Sequence, residues 1–378
     1  MSTASPNPPP DSMPRNMPDT TPPGTPPDTR PATTSGPDSD PGRPRHVPRT
    51  PGWKRFAQRH GSLIQLILLT LLIFAVMTAF NPVKFLRLYN FESISYMAPE
   101  LGLLSVAMML SMLTGGIDLS VVGIANLSGI LAGLFFHAYG GDRGAGLTQM
   151  GATGVLIGIA IALVTGLAAG ALNGLLITRL RITPILATIG SGQIFTGLAL
   201  VLTGGPAVVG YPNGWDYIGN GAVLGLSFPL ILFVVLAGGI AFMLARTPLG
   251  IELCLIGTNA KAALFAGIRS GRAVFLSYMM SGLLASVAGI ILSGRTNAAK
   301  SDYGTSYLLQ AVLIAVLGGT NPAGGKGSVL GIGIALFALM MLSSGLQLMR
   351  FSNFLVDFIW GAFLLLVIGL NALRARSR

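Results

Sequence analysis

The stretch TGGIDLSVVG at residues 114–123 places a carboxylate, Asp118, inside a long apolar part of the chain. A charged side chain at membrane depth is costly unless backbone donors, water or a cavity compensate it. Here Gly115 and Gly116 break the preceding apolar run, and Asp118 can cap the next helix with Ser120 close by. The stretch therefore predicts a broken membrane helix whose polar break faces away from lipid, as in segments that line a path.

The composition places the whole chain in the membrane class. Of 378 residues, 51% are hydrophobic and 10% are charged, whereas ordinary soluble domains carry about 25% charged residues. The net charge of +11 does not indicate a nucleic-acid partner, because the basic residues stand between apolar runs and form no patch with aromatic residues. The one cysteine excludes an internal disulfide, and the three histidines lack ligand-like spacing, so we predict no metal and no cofactor.

Two regions differ sharply in composition. Residues 1–60 are rich in proline, serine, threonine and aspartate, with almost no large apolar residues, which predicts a disordered cytoplasmic tail. A transmembrane domain is predicted at residues 61–375. Its first apolar run, residues 62–80, is long enough to span a bilayer and lacks signal-peptide features, so we expect a retained helix.

Recurring apolar runs predict an all-α, polytopic membrane protein with about ten transmembrane helices, some of them broken or re-entrant. The runs lie near residues 62–80, 93–113, 117–139, 151–177, 184–203, 222–245, 273–293, 305–318, 327–348 and 354–373. The eighth is short, which is typical of a re-entrant or protein-buried segment. The glycine-broken segments near Gly115 and Gly318 stand at comparable places in the two halves, a weak indication of an inverted repeat.

The distribution of Lys and Arg predicts the orientation, because cytoplasmic loops carry the excess. With the N-terminus inside, 18 of the 24 basic residues fall on the cytoplasmic side and six on the outer side. We therefore predict that both termini are cytoplasmic.

The longest cytoplasmic loop, residues 246–272, contains an alanine-rich stretch with Asn259 as a natural N-cap and Gly267 as a stop. Its small residues would allow a partner surface to approach closely. Leu264 and Phe265 would instead suit a helix that lies on the lipid surface. The residues alone leave both alternatives open.

Five ordered motifs together resemble one family. They are GGIDLSVVG, GALNGLLITRLRITPILATIGSG, LIGTNAKAALFAGI, SGLLASVAGIILSGRTNAA and VLGGTNPAGGKGSVLG. In order and spacing they are similar to the permease subunits of bacterial ABC importers for monosaccharides, which include ribose, xylose, rhamnose and autoinducer permeases. The resemblance covers roughly residues 60–373.

This resemblance implies a transport subunit of the bacterial plasma membrane, not an enzyme, that imports a monosaccharide or related small polyol by alternating access. It implies as partners a cytoplasmic ATP-binding subunit, an extracytoplasmic sugar-binding protein and a second permease subunit, the same or a related chain, within membrane lipid. The alternative is an ion-coupled secondary transporter that works without an ATPase. Asp118 is almost the only ionisable candidate for such coupling.

Residues are assigned to two roles, the first from the resemblance and the second mainly because polar or glycine residues interrupt apolar runs. The family's coupling helix corresponds to residues 257–268, which implies contacts to the ATPase from Gly257, Asn259, Ala262, Ala263 and Gly267. The candidates for the gate or for lining the path are Gly115, Gly116, Asp118, Ser120, Asn126, Asn173, Gln193 and Gln310. For Asn126, Asn173 and Gln193 interhelical hydrogen bonding is an open alternative, and Asp118 fits a structural cap or gate element better than a sugar ligand.

Two departures from the family pattern stand out. Val121–Val122 replaces a single usual valine, and one inserted residue rotates a helix by about 100°. YLLQA at residues 307–311 replaces the pattern YELDA, so that Gln310 keeps hydrogen-bonding capacity without charge.

Overall fold

The computed structural model describes residues 52–140 and 150–376, and this part of the chain is almost entirely helical. Its helices are α1 (Gly52–Phe80), α2 (Pro82–Phe85), α3 (Leu88–Leu113), α4 (Val121–Gly140), α5 (Ala152–Thr178), α6 (Pro184–Thr203), α7 (Asn213–Asn220), α8 (Phe228–Arg246), α9 (Pro248–Thr258), α10 (Ala260–Phe265), α11 (Ser270–Thr296), α12 (Tyr307–Leu317), α13 (Val329–Leu348) and α14 (Asn353–Arg376). The predicted all-α class is confirmed.

In the described part of the chain, four two-residue strands form two short antiparallel pairs. They are β1 (Val208–Val209), β2 (Ala222–Val223), β3 (Leu226–Ser227) and β4 (Ala298–Ala299). In the first pair β1 lies against β4, with Val208 opposite Ala299, and in the second β2 lies against β3. All four strands belong to loops between long helices.

Eight of the described helices are long and apolar enough to cross a membrane: α1, α3, α4, α5, α6, α8, α11 and α13. By contrast, α12 has 11 residues. At 1.5 Å per residue it rises about 16 Å, roughly half of the hydrocarbon core. The short eighth segment is confirmed, and together with α12 and α14 the eight long helices agree with about ten passes.

Several helix limits follow local sequence signals. The predicted limits 184–203 are those of α6, which has Pro184 in its first turn and ends before Gly204, a residue with a φ of +66°. The predicted start at residue 222 is wrong, because residues 222–227 pair as a hairpin before α8 begins at Phe228.

The helix α1 begins at Gly52, before the predicted boundary at residue 60, although its apolar part starts only at Leu63. The helical signal of residues 52–60 is weak, since they are largely polar and basic. The rest of the predicted tail, residues 1–51, lies outside the described residues.

The centre of the bundle is the contact of α11 with α3, α4 and α5. Along α5, Gly166 and Gly170 lie against the backbone of Gly282 and Tyr278 in α11. Small residues let membrane helices approach closely. The resulting van der Waals packing replaces the hydrophobic driving force that is missing in lipid. The core is therefore built from close backbone contacts.

Two contacts fix the direction of α3 relative to α11. The Ser277 hydroxyl donates to the carbonyl of Leu110 at 2.7 Å, and Arg295 donates to Glu100 at 2.8 Å. Residues later in α11 thus contact residues earlier in α3, so these helices are antiparallel.

The direction of α4 is opposite to that of α3. Ser281 bonds to Asp118 just before α4, and Gly289 lies against Ala125, so α4 is parallel to α11. The chain therefore reverses direction at residues 114–120. The break joins two separate passes and is not a kink within one helix.

Candidate functional site

The break between α3 and α4 is built by glycine. Gly115 has a φ of +81°, a backbone conformation that side chains other than glycine adopt at a cost. Gly116 is buried and lies against the Tyr278 hydroxyl and the Pro184 ring at the start of α6. The predicted end of the helix at this glycine pair is present, but it forms a turn between α3 and α4 and not a break within one helix.

Asp118 is fully buried and serves as the hydrogen-bond acceptor of this turn. Its Oδ1 accepts from the backbone N–H of Ser120 at 3.1 Å and from the Ser120 hydroxyl at 2.6 Å. Its Oδ2 accepts from the hydroxyl of Ser281 in α11 at 2.8 Å. Because both oxygens are occupied and the side chain has no exposure, the structure favours the structural-cap role over direct contact with a solute.

A third helix joins the same cluster. The Asn173 amide of α5 donates to the Ser120 hydroxyl at 2.7 Å, which makes Asn173 an interhelical hydrogen-bonding residue. Asn126 is buried as well, and its amide donates to the carbonyls of Ser301 and Tyr303 at 3.0 and 2.8 Å. Neither asparagine lines an open path in this conformation.

The remaining two path candidates lie elsewhere. Gln193 is exposed on the face of α6 that points away from the bundle. Gln310 lies in a cavity beside α12. The structure therefore does not bring the eight candidates together: Gly115, Gly116, Asp118, Ser120 and Asn173 lie at one turn, whereas Asn126, Gln193 and Gln310 lie elsewhere.

The loop after α8 contains two short helices, and the predicted cap and stop of the second are present. In α10 the Asn259 side chain accepts from the backbone N–H of Ala262 at 3.0 Å. The helix ends before Gly267, which has a φ of +77°. Asn259, Ala262 and Gly267 are all exposed.

Ala263, one of the five predicted coupling residues, lies on the inner face of α10. Ala263 is only 3% exposed, because it is the buried face of α10. Contact of Ala263 with a partner stays a prediction. The exposed apolar groups are instead Leu264 at 68% and Phe265 at 90% exposure; a run of small residues does not show from sequence alone which of them faces inward.

Gly257 is also directed inward, to a junction of three chain segments. The backbone N–H of Gly325, between α12 and α13, donates to the carbonyl of Leu113 at the end of α3 at 2.9 Å. Gly257 in the last turn of α9 packs so closely on both groups that a Cβ would clash with the Leu113 oxygen and the Gly325 nitrogen. We call Leu113, Gly257, Gly324 and Gly325 the glycine joint.

The Gly324–Gly325 turn is braced by one side chain. The Asn321 amide donates to the carbonyl of Gly324 at 3.0 Å, and its Oδ1 accepts from the backbone N–H of Ala323 at 3.1 Å. The glycine joint therefore links α9 and α10 to the end of α3, immediately before the Asp118 turn.

A second buried carboxylate was missed by the sequence reasoning. Glu100 of α3 is 1% exposed and accepts two hydrogen bonds from the Arg295 guanidinium, at 2.8 and 3.1 Å. The Tyr307 hydroxyl of α12 donates to the same carboxylate at 2.7 Å. An acidic residue within the predicted span 93–113 was the signal that could have located this cluster.

Comparison with known proteins identifies the class of molecule. Residues 90–368 match the family model for the permease component of the branched-chain amino acid transport system. The chain belongs to this permease family. Among solved structures, none matches the chain.

Relatives of the permease agree with this membership. It is 33% identical to the ribose import permease protein RbsC of Bacillus subtilis (strain 168), over 83% of this chain and 92% of that protein. It is 31% identical to the autoinducer 2 import system permease protein LsrD of Yersinia enterocolitica, over 71% and 79%. It is 29% identical to LsrD of Escherichia coli (strain K12), over 82% and 92%.

These matches confirm the resemblance on which the sequence interpretation rests. The permease is a multi-pass membrane protein and a transport component of an importer, and it is not an enzyme. Its family implies partners that bind ATP and partners that bind the transported solute.

The Asp118 cluster of the permease gives a stability prediction. Asp118→Ala should lower the thermal unfolding temperature of the purified permease in detergent, because the Ser120 N–H and the Ser120 and Ser281 hydroxyls lose their acceptor. Each stranded buried donor costs about 1–3 kcal/mol. Asp118→Asn should lose less, since its amide oxygen can still accept from Ser120. Equal unfolding temperatures for the wild type and Asp118→Ala would refute the role of this carboxylate.

Proposed function

We propose that the permease imports a monosaccharide or related small polyol. An extracytoplasmic binding protein delivers this solute, and ATP hydrolysis on a cytoplasmic partner drives its import. The names of the ribose and autoinducer 2 relatives support the substrate class. The exposed Leu264 and Phe265 on α10, together with the glycine joint behind it, support the coupling to an ATPase. This arrangement of α10 and the joint is the observation on which the proposal rests.

Coupling would begin at α10. Large exposed apolar side chains on a loop mark an interaction surface, and Leu264 and Phe265 would enter a groove of the ATP-binding subunit. A shift of α10 and α9 would reach Leu113 and Gly325 through Gly257, because these backbones are in direct contact. Because the Asp118 turn directly follows Leu113, a shift at Leu113 would change the tilt of α3 and α4 together.

The orientation with both termini cytoplasmic is part of the proposal. It places α10 and the glycine joint inside the cell and the Glu100–Arg295 pair at the opposite side of the bundle. The tail of residues 1–60 would then act as a cytoplasmic tether, and the permease domain would comprise residues 61–375.

A second permease subunit would complete the translocation path. α6 packs mainly on α4 and α5, and its outward face carries Gln193 among apolar residues. An amide that faces lipid is unfavourable, so we place this face toward the second subunit, the same or a related chain. Gln193 would there line the path between the two copies.

Uptake measurements in cells test the substrate class. Cells that lack the gene for this permease are compared with cells in which it is restored, using radiolabelled D-ribose, D-xylose, L-rhamnose and L-leucine. Uptake of at least one sugar should require the permease and should stop when cellular ATP is depleted. If the gene is required for leucine uptake and for none of the sugars, the proposed substrate class is wrong.

A further inference from the structure

A groove of about 390 Å³ lies between α9 and the first two turns of α11, beside Gly267, which follows α10. Since α10 lies inside the cell in the proposed orientation, this α9–α11 groove opens on the cytoplasmic side of the membrane. Its lining combines three charged side chains with an apolar wall. Ligand sites commonly combine an apolar lining with a few placed polar or charged groups, so the groove has the character of a ligand site.

Two arginines supply the positive charge of the groove. Arg269 and Arg272 are exposed and lie about one turn apart at the start of α11. In the described part of the chain, neither guanidinium is paired with another side chain or hydrogen-bonded to the backbone. A guanidinium presents paired N–H donors that match the oxygens of a phosphate group. The two arginines therefore offer free donors to an anion.

Glu252 of α9 is the one acid among the lining residues, and it is partly buried. Across the described residues it lies beyond ion-pair distance of both arginines, so it does not neutralise them by direct contact. Two positive charges and one negative charge leave the groove with a net charge of +1. The positive end of the α11 dipole at Ser270 adds to the attraction for an anion. A negatively charged ligand is therefore favoured.

The apolar wall of the groove continues into the membrane along α11. Leu276 lines the groove, and α11 is long and apolar enough to cross a bilayer. Beyond Leu276, the half-buried side chains of Met280, Leu283 and Val287 recur at intervals of three or four residues, which places them on one face of the helix. This face is turned away from Ser281, which is buried in the bundle. The groove thus joins a charged cytoplasmic end to an apolar track at membrane depth.

A phospholipid fits both ends of this site. The cytoplasmic leaflet carries anionic lipids, and basic pockets between membrane helices bind their head groups. A soluble phosphate would pair with the arginines but leave the apolar track uncovered. We infer that the α9–α11 groove binds the phosphate head group of an anionic phospholipid, with one acyl chain along the Leu276 face of α11. The inference uses the proposed orientation and is independent of the transported solute.

A lipid in this groove would brace the loop that carries α10. That loop is joined to the bundle through α9 on one side and α11 on the other, and the groove lies between these two helices. A ligand that binds the folded state alone raises the unfolding temperature in a concentration-dependent way. Lipid binding is therefore measurable as stabilisation of the permease.

Thermal unfolding of the full-length permease in a nonionic detergent tests this inference. Added dioleoylphosphatidylglycerol should raise the unfolding temperature in a saturable way. Dioleoylphosphatidylcholine, which has no net charge, and inorganic phosphate, which has no acyl chain, should not do so at the same concentrations. Arg269→Gln and Arg272→Gln should each raise the lipid concentration at half effect about fivefold, because each basic residue near a lipid surface contributes about that factor.

Lys261→Gln is the matched control, because Lys261 is an exposed basic residue of α10 in the same loop and does not line the groove. This variant should respond to dioleoylphosphatidylglycerol as the wild type does. Glu252→Gln removes the one opposing charge and should lower the lipid concentration at half effect. It keeps the test decisive if an arginine variant fails to fold.

Three results would overturn the inference. If phosphatidylcholine or inorganic phosphate stabilises the permease as strongly as phosphatidylglycerol, the effect is a general lipid effect or belongs to a soluble anion. If Lys261→Gln weakens the response as much as the arginine variants do, the attraction is to the positive surface as a whole. If the arginine variants respond normally to the lipid but lose the ATP-binding subunit on co-purification, the groove belongs to that protein.

Discussion

Replacing Phe265 by Glu is expected to detach the ATP-binding partner from the permease. Phe265 is 90% exposed at the end of α10 and Leu264 beside it is 68% exposed, so this apolar pair is the centre of the proposed contact. Central aromatic contacts contribute about 2 kcal/mol or more to binding, which corresponds to a loss of affinity of about 30-fold. A charge forced into an apolar groove adds its desolvation cost.

Co-purification of the ATP-binding subunit with a tagged permease measures this effect, and uptake should fall in parallel. Phe265→Leu is the matched control, because it keeps an apolar side chain at the same position. Both variants should insert into the membrane in normal amounts, since α10 is not one of the membrane-spanning helices. Undiminished co-purification of Phe265→Glu would instead favour a helix that lies on the lipid surface.

Replacing Gly257 by Ala is expected to disrupt the glycine joint. The added Cβ would clash with the Leu113 oxygen and the Gly325 nitrogen, and both are backbone atoms that cannot move aside alone. Overpacking of this kind costs about 1–3 kcal/mol or more. The thermal unfolding temperature should fall, and fewer solute molecules should be imported for each ATP hydrolysed, because α9 no longer seats against α3.

Gly271→Ala provides the control for this prediction. Gly271 lies in the first turn of α11, near the same loop, and a Cβ there meets no other atom within 4 Å. Because alanine is the better helix former, this change should stabilise the helix by up to about 1 kcal/mol. If Gly257→Ala retained the stability and the transport ratio of Gly271→Ala, the joint would have no role in coupling.

Much of the fold could be predicted because each membrane helix is visible in the sequence as one apolar run of spanning length. The apolar run at residues 184–203 gave the limits of α6, and Asn259 gave the cap of α10. In contrast, the start of α1 at Gly52 was not predicted, because its first residues carry several charges and polar groups that hydropathy does not mark as helical. The β2–β3 hairpin has only two residues in each strand. Such strands are too short to show the alternation of apolar and polar residues that predicts a strand.

The site was less predictable because its contacts join distant parts of the sequence. Glu100 and Arg295 are 195 residues apart, and no local pattern connects them. Gly257 was assigned to coupling through the resemblance, but its contacts with Leu113 and Gly325 depend on how three segments pack. The burial of Ala263 was not predictable, since a helix of six residues rich in alanine has no clear apolar side.

The central claim is that this permease transports only as part of an ATP-driven assembly. Accumulation of a radiolabelled sugar that the cells import is therefore measured in liposomes, first with the purified permease alone under a sodium or proton gradient. The ATP-binding subunit, the binding protein and ATP are then added. We predict no accumulation in the first case and accumulation in the second, whereas accumulation by the permease alone in an ion gradient would contradict the claim.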